Sequence, residues 1–286
     1  MIQNIKSDVH HEVQSLVSDI GYRVVPDWYD GSYRELKMHL IIPKHRENHS
    51  LQPCLLFICG GAYSVVNGGI WLPEMLYFAR HGYTIATIDY RTSNQAIFPA
   101  ALQDAKCAVR FLKMHAGQFC IDPAKIIVAG ESAGGTLAAL VGVTDGIPEF
   151  EPDDYPEFDS SVAAVVDFYG PVDLIASGNT HVESDTVDSW ALEAFLGAGY
   201  DEETAIRASA LHYVGAGTPP FMILHGTADK LVDIAAQSDR MYDALVQNGV
   251  KAEYIRLEGA EHGDDAFYQE DIKARILNFM NGVIYG

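Results

Sequence analysis

A continuous apolar run at residues 53–58 and largely apolar stretches at 83–88, 126–129, 162–168 and 221–225 are strand-length and bounded by turn residues. Such runs suit strands covered on both faces, and residues 253–257 read as one more strand. Between them the apolar spacing becomes helical. Residues 72–80 form one such stretch, ended by Gly82, and residues 234–248 and 265–282 form two more. Phe98-Pro99-Ala100-Ala101 opens a long helix with Leu102, Ala105, Val109 and Leu112 inward. Strands alternating with helices predict an α/β fold: a doubly wound, mostly parallel sheet with helices on both faces. Upstream the pattern differs. Val9, Val13, Leu16, Val17 and Ile20 share one helical face, which predicts an amphipathic helix over residues 8–20. Residues 22–25 and 33–42 read as strands. The second alternates Leu36, Met38, Leu40 and Ile42 with Glu35, Lys37 and His39, as expected of an antiparallel edge with one wet face.

Residues 145–159 are crowded with Glu, Asp and Pro and read as a solvated surface loop. Residues 170–214 exceed what a simple crossover needs. They carry a clear helical stretch at 190–196, so about 171–215 is expected to form a small helical cap insertion, a candidate lid. With no linker, repeat or low-complexity run, residues 1–286 are expected to form a single domain, 1–30 being an N-terminal helical and strand extension.

The chemistry gathers at one strand-to-helix junction, Ile126-Ile127-Val128-Ala129-Gly130-Glu131-Ser132-Ala133-Gly134-Gly135. Read alone, G-x-S-x-G fits any Gly-rich turn that contains a serine. A buried strand before it and an Ala/Leu-rich helix after it are what a nucleophile elbow requires. There the serine hydroxyl is exposed on a strained turn, and the helix N-terminus faces the place where an oxyanion forms.

Ligands of a parallel sheet sit beyond the carboxyl ends of its strands, and three reactive residues fall there. Ser132 follows one strand, Asp229 follows Ile223-Leu224-His225-Gly226, and His262 follows Tyr254-Ile255-Arg256-Leu257. A serine hydroxyl needs an imidazole to take its proton and a carboxylate to orient that imidazole. Asp233 rivals Asp229, but it begins a helix, where a capping carboxylate is ordinary. His225 ends a strand and reads as structural, while His10, His11, His39, His45 and His49 stand in polar surroundings that read as surface. Cys59-Gly60-Gly61-Ala62 follows a buried strand, where small residues let backbone N–H groups approach a ligand. With the N–H of Ala133 it is the candidate oxyanion hole.

A formal charge of −20 argues against nucleic acid and anionic membrane, both of which need a basic footprint. The four cysteines lack metal or secreted-scaffold spacing, and Cys54 and Cys107 read as buried thiols. No zinc-type spacing or dinucleotide fingerprint is present, so no metal and no organic cofactor is expected. Residues 1–12 contain no apolar run resembling a signal peptide, and no stretch is long enough to span a bilayer, so a cytoplasmic location is expected. Oligomeric state stays open, a homo-oligomer included.

On these motifs, together with Asp89-Tyr90-Arg91 and Gly259-Ala260-Glu261-His262-Gly263, the sequence resembles the alpha/beta-hydrolase superfamily. Within it, the resemblance is to carboxylesterases of the hormone-sensitive-lipase-like and bacterial feruloyl- and acetyl-esterase-like branch. The resemblance implies Ser132 as nucleophile, His262 as base, Asp229 as orienting acid and the backbone N–H groups of Gly61, Ala62 and Ala133 as oxyanion hole. Cys59 departs from that family's usual histidine, and a thiol cannot supply an imidazole's hydrogen bonds to the loop. Tyr63, Trp71 and Trp190 are candidate pocket residues. The expected activity is hydrolysis of a small ester through an acyl-enzyme, on short-chain acyl, acetyl-sugar or hydroxycinnamoyl (feruloyl) esters. Two alternatives remain: an amide hydrolase such as an aryl-formamidase or peptidase, and a non-catalytic ligand-binding protein on the same fold.

Overall fold

The computed structural model describes residues 1–9, 12–44, 50–179 and 187–286. His10, His11, His45 and His49 lie outside these residues, as do residues 180–186 of the cap-like segment. The strands are β1 (Gln14–Pro26), β2 (Tyr33–Pro43), β3 (Gln52–Ile58), β4 (Thr84–Ile88), β5 (Ile121–Glu131), β6 (Ala164–Phe168), β7 (Phe221–Gly226) and β8 (Ala252–Leu257). They form one eight-stranded sheet in the order β1-β2-β4-β3-β5-β6-β7-β8. Strand β2 runs antiparallel to both its neighbours, and every other pairing is parallel. The helices are α1 (Leu72–Arg80), α2 (Ala100–Met114), α3 (Ala116–Phe119), α4 (Ala133–Val143), α5 (Leu174–Asn179), α6 (Val187–Leu196), α7 (Glu202–Arg207), α8 (Arg240–Gln247) and α9 (Glu270–Ile284).

Strand alternation divides the core. Cys54, Leu56 and Ile58 of β3 face the layer containing α2, α4 and α8, while Leu55 and Phe57 face α1 and α9. The continuous apolar runs are therefore strands buried on both sides, and the doubly wound, mostly parallel sheet is the expected architecture. All four cysteines are buried free thiols.

Three expectations are corrected. Residues 14–20 belong to strand β1, not to an amphipathic helix. The helical spacing has a local cause: Val17 pairs with Leu40 but Ile20 with Met38, so β1 carries one extra residue there. That bulge, with Asp19 at φ +60°, turns Val17 and Ile20 to the same side three residues apart. Val13 and Leu16, read as part of the apolar face, are exposed. Second, β2 is an interior strand and β1 forms the edge beyond it.

Third, residues 145–159 keep an exposed surface, as expected, but are docked on the body of the fold at Phe150 and Glu151. Phe150 is fully buried, and Glu151 accepts hydrogen bonds at 2.6 Å from Lys106 Nζ and Arg110 Nη2 of α2. Lys106, with no exposed side-chain surface, also donates to the Thr144 carbonyl. A buried ammonium needs such partners, and the acidic loop supplies them.

Candidate active site

Strand β5 delivers Ser132 at the carboxyl end of the sheet, and α4 begins with the next residue. The turn between them is closely packed. A Cβ on Gly130 would stand 2.1 Å from the Gly134 carbonyl oxygen, and one on Gly134 would stand 2.1 Å from that of Ile58. Ser132 itself is held at φ +54° and ψ −123°, a strained conformation for a residue with a side chain. Its N–H donates to the Phe168 carbonyl at 2.9 Å, tying the elbow to β6.

The loop after β8 carries His262 over the elbow. Ser132 Oγ and His262 Nε2 are 2.9 Å apart, and His262 Nδ1 lies 2.7 Å from Asp229 Oδ2. The ionised carboxylate can only accept, so Nδ1 carries the proton and Nε2 accepts from the serine hydroxyl. The Tyr169 ring meets the imidazole edge-on, with centroids 4.7 Å apart. Asp229 is held independently of His262. Its Oδ1 accepts the Leu231 and Val232 N–H groups at 2.8 and 2.9 Å, and its Oδ2 faces His225 Nε2 at 3.1 Å. Burial works to raise its pKa. The hydrogen bonds from His225, His262 and the Val232 N–H overcome this and keep the carboxylate well below the ordinary range. His225 is fully buried, and its Nδ1 accepts from the Ser238 hydroxyl at 2.6 Å. Asp233, the rival carboxylate, accepts the Ala236 N–H at 2.8 Å and makes no bond to His262.

The loop after β3 passes beside Ser132. Gly61, Ala62 and Tyr63 have φ values of +128°, +50° and +59°, a run of left-handed backbone that bends the loop sharply. At Gly61 a side chain is also excluded sterically, because a Cβ would come within 2.3 Å of the Val65 carbonyl oxygen. Ala62 and Ala133 border the cavity beside Ser132 and His262, with Gly61 one residue back in the same turn. Ala133 opens α4, so its N–H has no intrahelical acceptor.

The loop's support comes from Glu131, which sequence reasoning treated as a spacer inside G-x-S-x-G. Its Oε1 accepts the Gly60 N–H and, at 3.2 Å, the Trp71 indole N–H. Burial pushes the Glu131 carboxyl up, against the opposing pull of those two bonds. On the other side, Tyr90 Oη donates to the Cys59 carbonyl at 2.9 Å. Cys59 is buried, which raises its thiol to about 12 and keeps it neutral. The histidine's absence is thus met by a carboxylate from the elbow and a phenol from the end of β4.

The cavity above Ser132 is walled by Tyr63, Ala191, Leu192, Leu231 and Val232, with Ser177, Asp233 and Gln237 as its polar part. Of the three aromatic candidates, only Tyr63 is in this lining. Its ring stacks on Phe195 of α6 at 4.0 Å, and its hydroxyl bonds Thr136 Oγ1 at 2.8 Å. Trp71 does not line the cavity. It stacks on Tyr268 at 4.3 Å and serves Glu131 instead. Trp190 is 47% exposed, because the turn of α6 that brings Ala191 and Leu192 to the cavity directs it away. Among the described residues no cluster of three or more His, Cys, Asp or Glu is arranged to hold a metal ion, and no helix is long and apolar enough to cross a membrane.

Sheet order, elbow and the serine–histidine–aspartate arrangement together define an alpha/beta-hydrolase fold of the esterase type. A truncated carbohydrate esterase from gut microbiota superposes with a TM-score of 0.79 and 25% identity, over 97% of this chain and 99% of that one. Esterase 2 of Thermogutta terrifontis, in a structure phosphonylated by sarin, gives 0.75 and 26% over 92% of each chain. The chain belongs to the BD-FAE family, whose model matches residues 38–245. Esterase LipQ of Mycobacterium tuberculosis is 30% identical over 241 residues, which make up 82% of this chain and 56% of LipQ. The chain spans about half the length of the curated relatives it matches.

Proposed function

We propose that this chain is a serine carboxylic-ester hydrolase that works through an acyl-enzyme on short acyl esters of carbohydrate alcohols. The single observation that carries the reading is the continuous relay from Ser132 Oγ to His262 Nε2 and from His262 Nδ1 to Asp229. Ser132 Oγ attacks the ester carbonyl carbon as its proton passes to His262 Nε2. The carbonyl π electrons move onto oxygen, and that oxyanion faces the N–H groups of Gly61, Ala62 and Ala133. Collapse breaks the bond to the alcohol oxygen, which leaves with the proton from His262. Water then gives a proton to His262 and attacks the acyl carbon. The second collapse expels Ser132 Oγ, which recovers the proton, and the carboxylic acid departs. Asp229 stays ionised throughout and steadies the imidazolium.

The carbohydrate alcohol is supported by the gut carbohydrate esterase among the structural relatives. A short acyl group is supported by Tyr63 and Leu192 in the wall of the cavity that holds Ser132.

The test is an ester panel: p-nitrophenyl acetate, butyrate and octanoate, methyl ferulate and an acetylated xyloside. Ser132→Ala is expected to lower kcat on the acetate by about 10⁴-fold or more. Equal turnover by wild type and Ser132→Ala would refute the nucleophile. Inertness of the wild type towards every ester, with turnover of an N-formyl arylamine, would transfer the same relay to amides.

A further inference from the structure

The cavity wall is apolar except where Ser177, Asp233 and Gln237 meet it. Two of these have their polar atoms engaged. Gln237 Oε1 accepts the N–H groups of Val172 and Asp173, and its Nε2 donates to the Asp173 carbonyl and to Ser177 Oγ. Ser177 in turn donates to the Asp173 carbonyl at 3.2 Å. Asp233 differs. Its Oδ1 is fixed by the Ala236 N–H, while its Oδ2 makes no hydrogen bond or ion pair among the described residues. Nearby cations are committed elsewhere: Arg240 to Asp173, and Lys230 to Glu261. Asp233 is exposed as well as cavity-lining, so it stands at the mouth of the cavity that holds Ser132.

We propose that Asp233 reads the alcohol portion of the substrate, selecting esters whose alcohol carries free hydroxyl donors and rejecting those whose alcohol carries a negative charge. The inference rests on the ester-hydrolase reading above. An ionised carboxylate can only accept, so a free sugar hydroxyl on the alcohol portion suits Oδ2. The same charge repels an anionic leaving group as it approaches the mouth. The turn starting at Ala236 holds the carboxylate in place before substrate arrives, which lowers the ordering cost of that hydrogen bond.

The test varies the alcohol at constant acyl group. Phenyl acetate offers no donor, methyl 2-O-acetyl-β-xyloside offers hydroxyls, 4-acetoxybenzoate offers an anion, and acetylcholine offers a cation. Asp233→Ser keeps a side-chain oxygen for the Ala236 N–H but removes the second oxygen and the charge. Its kcat/KM ratio of xyloside to phenyl acetate is expected to fall about tenfold. The ratio of 4-acetoxybenzoate to phenyl acetate is expected to rise severalfold. Asp233→Asn, which keeps an acceptor, is expected to retain part of the xyloside preference while showing the same gain on the anion. A parallel loss on all esters would reduce Asp233 to a cap of the turn, and unmoved ratios would remove it from recognition. A preference for acetylcholine over the xyloside, lost in Asp233→Ser, would replace hydroxyl selection by plain charge attraction. In each of these cases phenyl acetate is still hydrolysed and the ester-hydrolase reading stands. Inertness of the wild type on all four esters would sink both.

Discussion

Glu131 offers the sharpest test of how the proposed oxyanion loop is held. In Glu131→Leu, the Gly60 N–H and the Trp71 indole N–H both lose their acceptor. A donor left without a partner costs about 1–3 kcal/mol, and both are partly buried, so about 2–4 kcal/mol of stability is at risk. The loop has a second way to respond. Gly60 is two residues from Ala62, and a shift that restores solvent contact to Gly60 also withdraws the N–H groups of Gly61 and Ala62. Loss of one oxyanion donor costs about 10²–10³ in kcat. Glu131→Leu is therefore expected to lower kcat on p-nitrophenyl acetate about 100-fold. KM should change little, because the oxyanion exists only in the transition state. Glu131→Gln keeps an acceptor at the same place and is expected to stay within about tenfold of wild type. The assay is steady-state kinetics on both variants, with thermal melts to establish that each is folded. Equal losses in Gln and Leu would refute the hydrogen-bond argument, since only Leu removes the acceptor. A folded Leu variant with wild-type kcat would show that the loop holds its shape without Glu131.

Two further expectations concern stability. Burial raises Asp167 to about 7 despite its 3.0 Å bond from the Gly170 N–H, and its Oδ2 has no partner among the described residues. A carboxyl raised on folding stabilises fully below its unfolded pKa, and that contribution is lost as pH rises through about 7. The rise from 3.8 corresponds to about 4 kcal/mol over the whole window, of which about 3 kcal/mol is lost between pH 5 and pH 8, so wild type should melt at a higher temperature at pH 5 than at pH 8, and Asp167→Asn should flatten the difference. An unchanged pH slope in Asp167→Asn would refute the assignment. Glu151→Ala leaves the buried Lys106 and Arg110 without their shared carboxylate and is expected to cost about 3–5 kcal/mol by urea denaturation. A cost below about 1 kcal/mol would mean that water replaces the carboxylate.

Much of the molecule was determined by local pattern. Leu55-Leu56-Phe57-Ile58 and Phe221-Met222-Ile223-Leu224 read as strands covered on both faces, because neither run offers a polar face to water and each is short and bounded by turn residues. Gly130 and Gly134 are legible for a similar reason: a strand-to-helix turn this tight excludes a Cβ, so the glycines advertise the elbow. Ser132, Asp229 and His262 each lie just beyond a strand, and the parallel direction of β5, β7 and β8 brings all three to one edge of the sheet. Tertiary structure decided what spacing cannot encode. The bulge between Val17 and Ile20 exists only through pairing with β2, so its three-residue spacing imitated a helix. Glu131 and Gly60 lie 71 residues apart, and the bond between them forms only when β5 and β3 pair. His225 contacts Asp229 because β7 turns back on itself directly after Gly226, a matter of loop path. Lys106 needed Glu151, 45 residues on, before either could be buried. Trp190 and Ala191 are neighbours in sequence, yet only Ala191 reaches the cavity, since the direction of each side chain is set by how α6 packs. Local sequence specifies where chain direction changes and which residues avoid water; which polar groups meet across the fold is set by packing.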